Sequence, residues 1–413
     1  MIAADPPRHT RPGEPVAPVA TEPTVDPAQP HGPLVKFHAP EVVFGVGSLG
    51  EAGYAASRLG ARRPFVVTDP GIVEAGWVAE LLSLLREQRL SPVLWTGVTP
   101  NPKDHEIRAA FETYREQEAD IVVAIGGGSC IDAAKGVAIL SGSGGDILDY
   151  AGIDKMAGPI PPLLMIPSTS GTGADVSQFC IVTDTERHVK LTIMGRALVP
   201  DVSITDPRLL TTMPAALNAA TGLDALTHGI ESYVSLAHNP LADGHALNSV
   251  GLVVGHLQQT ISHPRELEAR SKMAQASLQA GLAFTNAILG ATHAMSHQVG
   301  GLLDAPHGVV NGVLLPHVIR YNARAVPERF IGLARSAGLR VDGMPGEEAA
   351  ELLAIHVRML GDEVGVPRGL RELGVTEEDI EILADTTLED ACLTTNPRAA
   401  SRDDIRKLFQ EAL

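Results

Sequence analysis

Asp224 and His228 lie four residues apart in an Ala- and Leu-rich stretch that opens at Met213-Pro214. On a helix that spacing sets a carboxylate and an imidazole on one face, about one turn apart, as a chelate requires. His293 and His297 repeat the spacing with two imidazoles, and the glycine pair Gly300-Gly301 follows where it can stop the helix. Ten residues past His297, Pro306-His307-Gly308 offers a third imidazole from a loop. Each pair alone has an ordinary explanation as a solvated helix face or a hydrogen-bonded core histidine. The joint pattern sits among Ala, Leu, Gly, Val and Met, where an unsatisfied carboxylate or imidazole is costly. A mixed oxygen and nitrogen donor set suits Fe(II) or Zn(II), whereas carboxylates alone suit magnesium or calcium. Spacing leaves open which of His293 and His297 is a ligand.

The elements around these residues divide the chain in three. Residues 1–34 are rich in Pro, Ala, Thr and Glu with few large apolar side chains, so a flexible arm is expected there. In residues 35–208, the apolar runs Phe65–Asp69, Asp120–Ile125, Leu163–Ile166 and Val202–Thr205 are separated by helix-length stretches or turns. They predict βαβ units and a buried, mainly parallel sheet. Phe179–Asp184 and Val189–Ile193, joined through Thr185–His188, read as a hairpin added to that sheet. Beyond residue 209 the strand signals stop, and helical periodicity continues to Leu413. The expected architecture is an α/β nucleotide-binding domain followed by an all-helical metal and substrate domain, 209–413, with a cleft between them.

Two glycine clusters compete for a nucleotide. Gly45-Val-Gly47-Ser-Leu-Gly50 fits the G-x-G-x-x-G string, but the segment before it contains Pro40, which makes a poor central strand. Gly126-Gly127-Gly128-Ser129 directly follows the cleanest buried strand and precedes a good helix start, Ile131-Asp132-Ala-Ala-Lys135. Backbone N–H groups and a helix N-terminus there suit a pyrophosphate. Asp69, at the end of its own strand, can accept from an adenosine ribose; its charge repels a 2′-phosphate and so favours NAD over NADP. The small-residue loop Ser168-Thr169-Ser-Gly171-Thr172-Gly173 can line the nicotinamide side, and Lys190 can reach a ribose or phosphate.

The chain has 413 residues, 44% of them hydrophobic and 20% charged, enough for two globular cores. A net charge of −17 argues against nucleic acid or an anionic membrane as partner, which leaves small molecules. Three cysteines with no CxxC pair fit a reducing compartment, no apolar run approaches the about 20 residues of a membrane span, and a soluble cytoplasmic protein is expected.

These residues resemble the iron-containing (group III) alcohol dehydrogenases from about Val35 to Leu413. The marks are Val98-Thr-Pro-Asn-Pro102, the Gly126–Lys135 motif, Ile166-Pro-Ser-Thr-Ser-Gly-Thr-Gly173, the Asp224/His228 helix, His293/His297/His307-Gly308 and Thr395-Asn-Pro-Arg398. The resemblance implies a dehydroquinate synthase-like fold and a homodimer. It further implies a metal, Fe(II) before Zn(II), held at Asp224, His228, His293 and His307, with His297 outside the ligand set as a candidate proton relay. NAD(H) would lie on Gly126–Ser129, Asp132, Ser168, Thr169, Thr172 and Lys190, with Asp69 at the ribose. Phe284, Asn286 and Cys392 are candidates for the substrate channel. Where the family usually carries Gly-Ser-Glu-Val-Thr, this chain reads Gly173-Ala-Asp175-Val-Ser177, which is similar to a branch linked to ethanol oxidation and leaves the substrate open.

The implied reaction is hydride transfer between NAD(H) and a small primary alcohol or its aldehyde, including one bearing an anionic group such as a hydroxy acid or phosphonoacetaldehyde. Two other classes compete. One is a lyase of the dehydroquinate synthase type, which returns its NAD unchanged; the other is a regulatory homologue that has lost catalysis.

Overall fold

The computed structural model describes residues 35–187 and 189–413; the expected arm, 1–34, lies outside the described residues. Six strands form one parallel sheet: β1 (Glu41–Phe44), β2 (Pro64–Val67), β3 (Val93–Trp95), β4 (Ile121–Gly126), β6 (Leu163–Pro167) and β9 (Val202–Thr205), in the spatial order β1-β9-β6-β4-β2-β3. The helices among them are α1 (Ala52–Arg58), α2 (Pro70–Glu74), α3 (Trp77–Glu87), α4 (Asp104–Glu116) and α5 (Gly128–Ser143).

Alternate residues of the central strands feed two separate cores. Val122, Ala124, Leu163 and Met165 pack with α5, while Val123, Ile125, Leu164 and Ile166 pack with α1 and α3. Coverage on both faces explains why these strands read as continuous apolar runs without alternation. β1 follows Pro40 and, among the described residues, pairs with β9 alone, so the proline stands beside an edge strand, where a missing N–H costs least.

The hairpin forms as expected, with β7 (Phe179–Asp184) antiparallel to β8 (Val189–Met194), but it does not extend the main sheet. It joins the short β5 (Gly152–Ile153) in a separate three-stranded sheet of order β5-β8-β7. The burial pattern gives the reason: Cys180, Val182 and Asp184 are buried in alternation, so one face of β7 lies on α5 and the other does not, unlike a strand covered on both sides. His188, the last residue of the expected connection, lies outside the described residues.

After β9 the chain is helical: α6 (Ala215–Val234), α7 (Pro240–Ser262), α8 (Leu267–Ala287), α9 (Ala291–Leu303), α10 (His307–Ala323), α11 (Pro327–Ser336), α12 (Gly346–Glu363), α13 (Ile380–Thr387) and α14 (Arg402–Ala412). Their apolar faces share one core around Leu226, Met295, Leu314 and Leu353. Two local expectations are corrected. α9 runs through Gly300-Gly301 and stops at Asp304, whose φ is 51°. Gly300 serves a close approach instead, since a Cβ there would sit 3.1 Å from the Lys190 ammonium nitrogen. His307 belongs to no loop; it is the first residue of α10.

No helix among the described residues is long and apolar enough to cross a membrane.

Candidate metal centre and cofactor cleft

Asp224, His228 and Glu231 follow one another at i, i+4 and i+7 on α6 and are all buried. Asp224 Oδ1 lies 3.8 Å from His228 Nε2, 3.6 Å from His293 Nε2 and 3.7 Å from His307 Nε2. Donors about 2.1 Å from one tetrahedral ion stand about 3.4 Å from each other; Asp224 is near that distance from all three imidazoles, and Asp224, His228 and His293 lie within 4.8 Å of one another, with His307 standing farther from one of the other two rings. α6 thus supplies two donors, α9 one, and the first residue of α10 the last. Between the two candidates on α9, His293 is the one that meets the other donors.

Each of the three imidazoles has its Nδ1 occupied elsewhere. His228 Nδ1 lies 3.2 Å from the Gly171 carbonyl, His293 Nδ1 2.7 Å from Glu231 Oε2, and His307 Nδ1 3.0 Å from Ser296 Oγ. Partners of this kind fix the tautomer and aim the other nitrogen, so all three Nε2 atoms turn toward Asp224. Burial draws His228 down to about 4 and His307 well below the ordinary imidazole range, so both are neutral near pH 7 with lone pairs to offer. For the Asp224 carboxyl, burial alone would favour the neutral acid, but the surrounding imidazoles outweigh it and hold the group well below the usual carboxylate range. At His293 burial pulls downward too, and the Asp224 and Glu231 carboxylates overcome it, raising the group to about 9. An anionic oxygen facing three imidazole nitrogens in a dry pocket is the chemistry of a cation site.

His297 stays outside this set. Its Nδ1 pairs with Asp390 Oδ2 at 2.9 Å, and its ring stacks on His307 with centroids 5.3 Å apart. Asp390 also accepts from the Cys392 backbone N–H at 2.9 Å. Cys392 and Phe284 share a small apolar cluster with Leu289 and Ala294, against which Phe179 packs, and the Phe284 ring stacks on His228 at 4.5 Å. Asn286 is directed elsewhere: its amide accepts from His38 N at 2.7 Å and donates to His38 O at 2.9 Å, tying α8 to the segment before β1.

The glycine cluster and the small-residue loop meet at the carboxyl ends of β4 and β6, which are in register with Gly126 opposite Pro167. Ser168 N donates to Gly126 O at 2.9 Å. A Cβ on Gly127 would lie 3.2 Å from Thr169 Cγ2, and one on Gly128 2.8 Å from Thr172 Cγ2, so only glycine lets the turn close on that loop. Asp69 caps α2 through Ile72 N at 3.1 Å and reaches Cys130 Sγ at 3.2 Å, beside the same turn. Ser129 Oγ accepts from Asn101 N at 3.1 Å, and Lys190 Nζ donates to Asn101 Oδ1 at 2.8 Å. Asp132 is half-buried on α5; desolvation raises its carboxyl above the ordinary range against the pull of Lys135 and of the Ile181 N–H. The competing string has another task, since Gly47 N and Leu49 N both donate to the Asp206 carboxylate at 3.1 Å.

Glu231, Asn311 and Asp390 escaped the sequence reading. Glu231 carries a signal, as the next position on the Asp224/His228 face, and Asn311 stands one turn after His307. Asp390 is 93 residues from His297, and no spacing joins them.

Comparison with known proteins gives a consistent identification. Residues 39–207 match the family model described as iron-containing alcohol dehydrogenase, and residues 218–413 match the model for the C-terminal part of the Fe-containing alcohol dehydrogenase family. The chain is 42% identical over 371 residues to 1,3-propanediol dehydrogenase of Citrobacter freundii, covering 89% of this chain and 96% of that one. It is 36% identical over 377 residues to the NAD-dependent methanol dehydrogenase of Bacillus methanolicus, covering 91% and 99%. The crystal structure of a 1,3-propanediol oxidoreductase superposes with a TM-score of 0.90 at 40% identity, covering 92% of this chain and all of that one. The chain belongs to the iron-containing alcohol dehydrogenase family.

Proposed function

We propose that this oxidoreductase uses NAD(H) and Fe(II) to interconvert a short primary alcohol and its aldehyde, with Asp224, His228, His293 and His307 holding the metal. The observation that carries the ligand set is the convergence of three Nε2 atoms on Asp224 Oδ1 within 3.6–3.8 Å. Zn(II) suits the same donors, and the family favours iron. When bound, the metal supplies Lewis acidity to an alcohol or carbonyl oxygen, and NAD(H) accepts or delivers the hydride.

The chain's own residues do the rest. The Gly126–Ser129 turn and the Ser168–Thr172 loop clasp the cofactor phosphates and nicotinamide side, Asp69 takes the adenosine ribose, and Lys190 reaches in beside Asn101. Asp132, on the first turns of α5, belongs to the same cofactor set. His297, its Nδ1–H fixed by Asp390, exchanges the alcohol proton at Nε2. Phe284, Cys392 and Phe179 form an apolar wall next to His228, which suits a short, uncharged chain on the reacting carbon over a hydroxy acid or phosphonoacetaldehyde. Asn286 is removed from the substrate set because its amide holds His38.

Three further parts belong to this reading. The two domains divide at residues 208/209, between β9 and α6. A homodimer is testable by light scattering. A cytoplasmic setting is supported by three buried free cysteines.

The test is metal analysis of anaerobically purified protein, paired with NADH-linked reduction of a panel of short aldehydes before and after adding Fe(II). About one iron per chain, with activity that tracks iron loading, is the expected result. Metal retained unchanged after Asp224→Asn and His228→Gln would overturn the ligand assignment.

A further inference from the structure

Helix α9 carries both His293 and His297, yet its N-cap residue is Gly290, which has no side chain to cap with. Two buried groups from distant segments take over. The Glu231 carboxylate accepts from Gly290 N at 3.0 Å and Thr292 N at 2.6 Å, and Asn396 Oδ1 accepts from Ala291 N at 3.1 Å. Asn396 is itself held by a reciprocal amide pair with Asn322, at 2.9 and 2.8 Å, and by the Arg398 carbonyl at 2.7 Å. That gives the Thr395-Asn-Pro-Arg398 motif a place in the molecule: it braces the start of the histidine helix.

Glu231 does more than cap. The oxygen that accepts from Gly290 N, Oε2, also takes His293 Nδ1–H at 2.7 Å. Three N–H donors therefore satisfy one carboxylate that is only 2% exposed. An ionised carboxyl offers acceptors alone, and no other side chain of this shape meets three donors without presenting one of its own.

We propose that Glu231 is a positioning residue of the metal centre, which keeps the His293 proton on Nδ1 and sets the start of α9 against α6 with the same carboxylate. This rests on the reading that Asp224, His228, His293 and His307 hold the metal. One side chain thereby fixes the tautomer of His293 and, through the helix it caps, the place of His297. Glutamine at 231 would turn an amide N–H toward at least one of the three donors, so His293 would lose a charged acceptor or its helix would lose a cap.

The test compares Glu231→Gln with Asn396→Ala in chelator-stripped protein, reading Co(II) affinity by competition with a chromophoric chelator, alongside circular dichroism and melting temperature. Asn396→Ala removes a cap on the same helix without touching His293, so it reports what a merely structural role does. Glu231→Gln is expected to weaken Co(II) binding by about 10–100-fold while the protein stays folded. Asn396→Ala is expected to lower the melting temperature with a much smaller change in affinity. Equal loss of affinity in both variants, or wild-type affinity in folded Glu231→Gln, would overturn the proposal. Should Glu231→Gln not fold, histidine ¹⁵N NMR of the wild-type protein loaded with Zn(II) decides: His293 must carry its proton on Nδ1, and a metallated Nδ1 overturns the assignment. Wild-type protein that binds neither metal would instead sink the metal reading on which the proposal stands.

Discussion

The Asn311 side-chain nitrogen donates to Asp224 Oδ1 at 2.8 Å, and it stands 3.3 Å from His293 Nε2 and 3.2 Å from His307 Nε2. Its amide oxygen is buried with no partner among the described residues. The side chain is therefore oriented by what it donates to, at the cost of an orphaned acceptor. Asn311→Ala removes both the useful donor and the costly oxygen. Metal affinity is expected to fall about tenfold as Asp224 loses its constraint. Stability of the metal-free protein should change by less than about 1 kcal/mol, because the lost hydrogen bond and the relieved orphan offset each other. Chelator competition and chemical denaturation on the same preparation measure the two effects separately.

His297 and Asp390 make a pair that meets the metal-donor group through imidazole rings, stacked on His307 at 5.3 Å and edge-on to His293 at 6.1 Å, so their replacement should separate turnover from metal content. His297→Ala is expected to lower kcat by about 100-fold or more, the range for loss of a general acid–base group, with iron per chain at the wild-type level. Asp390→Asn should cost less, since the imidazole remains and only its orientation and basicity change. Iron lost together with activity in His297→Ala would make that residue a ligand.

The candidate metal donors were legible because helices write their faces into the sequence at fixed intervals: Asp224 with His228, and His293 with His297, needed only the i, i+4 rule. Choosing between His293 and His297 was not a matter of spacing. Both project from α9, and the choice is made by which partner each Nδ1 meets, Glu231 in one case and Asp390 in the other. The parallel sheet was equally legible, since strands covered on both faces are apolar throughout, and Val122 to Ile125 read so without ambiguity. The hairpin at Phe179 was seen, but its partner sheet was not, because which neighbour a strand joins is decided by long-range packing against α5. Asn286 bonds the His38 backbone for a similar reason: it lies on the same helix as Phe284, and two residues along a helix turn a side chain by about 200°.

Gly128 opens α5, where alanine would ordinarily favour the helix by about 1 kcal/mol. A Cβ there, however, lies 2.8 Å from Thr172 Cγ2 and pushes the two cofactor loops apart. Gly128→Ala should weaken NADH binding at least about tenfold, the equivalent of about 1.4 kcal/mol, with metal content unchanged. Fluorescence titration with NADH measures it. Unaltered affinity would move the pyrophosphate away from this turn.

Asn286 offers the complementary control. Its amide makes two hydrogen bonds with the His38 backbone and a third with the Leu282 carbonyl at 2.9 Å. Asn286→Ala is expected to cost about 2 kcal/mol in chemical denaturation, at roughly 1 kcal/mol for each bond lost to the His38 backbone. The aldehyde KM should not move. A raised KM with unchanged stability would return Asn286 to the substrate channel.

Lys190 gives the cleft a dependence on pH. Burial draws its ammonium from the ordinary 10.5 down to about 8, although the Asp304 and Asp224 carboxylates pull the other way. Below pH 8 the folded and unfolded chains both hold this proton, and between about 8 and 10.5 only the unfolded chain does. Stability from this group therefore rises with pH across that window. Cofactor binding should move in the opposite sense, because the neutral amine formed above pH 8 no longer attracts a phosphate or donates as strongly to a ribose. The NADH dissociation constant of the wild-type protein is expected to climb as pH passes about 8, and that of Lys190→Gln to be weaker throughout and flat over the same range. A titration at half-unit intervals from pH 6.5 to 9.5 separates the cases: if the variant keeps the inflection, the titrating group is another one, and Lys190 does not touch the cofactor.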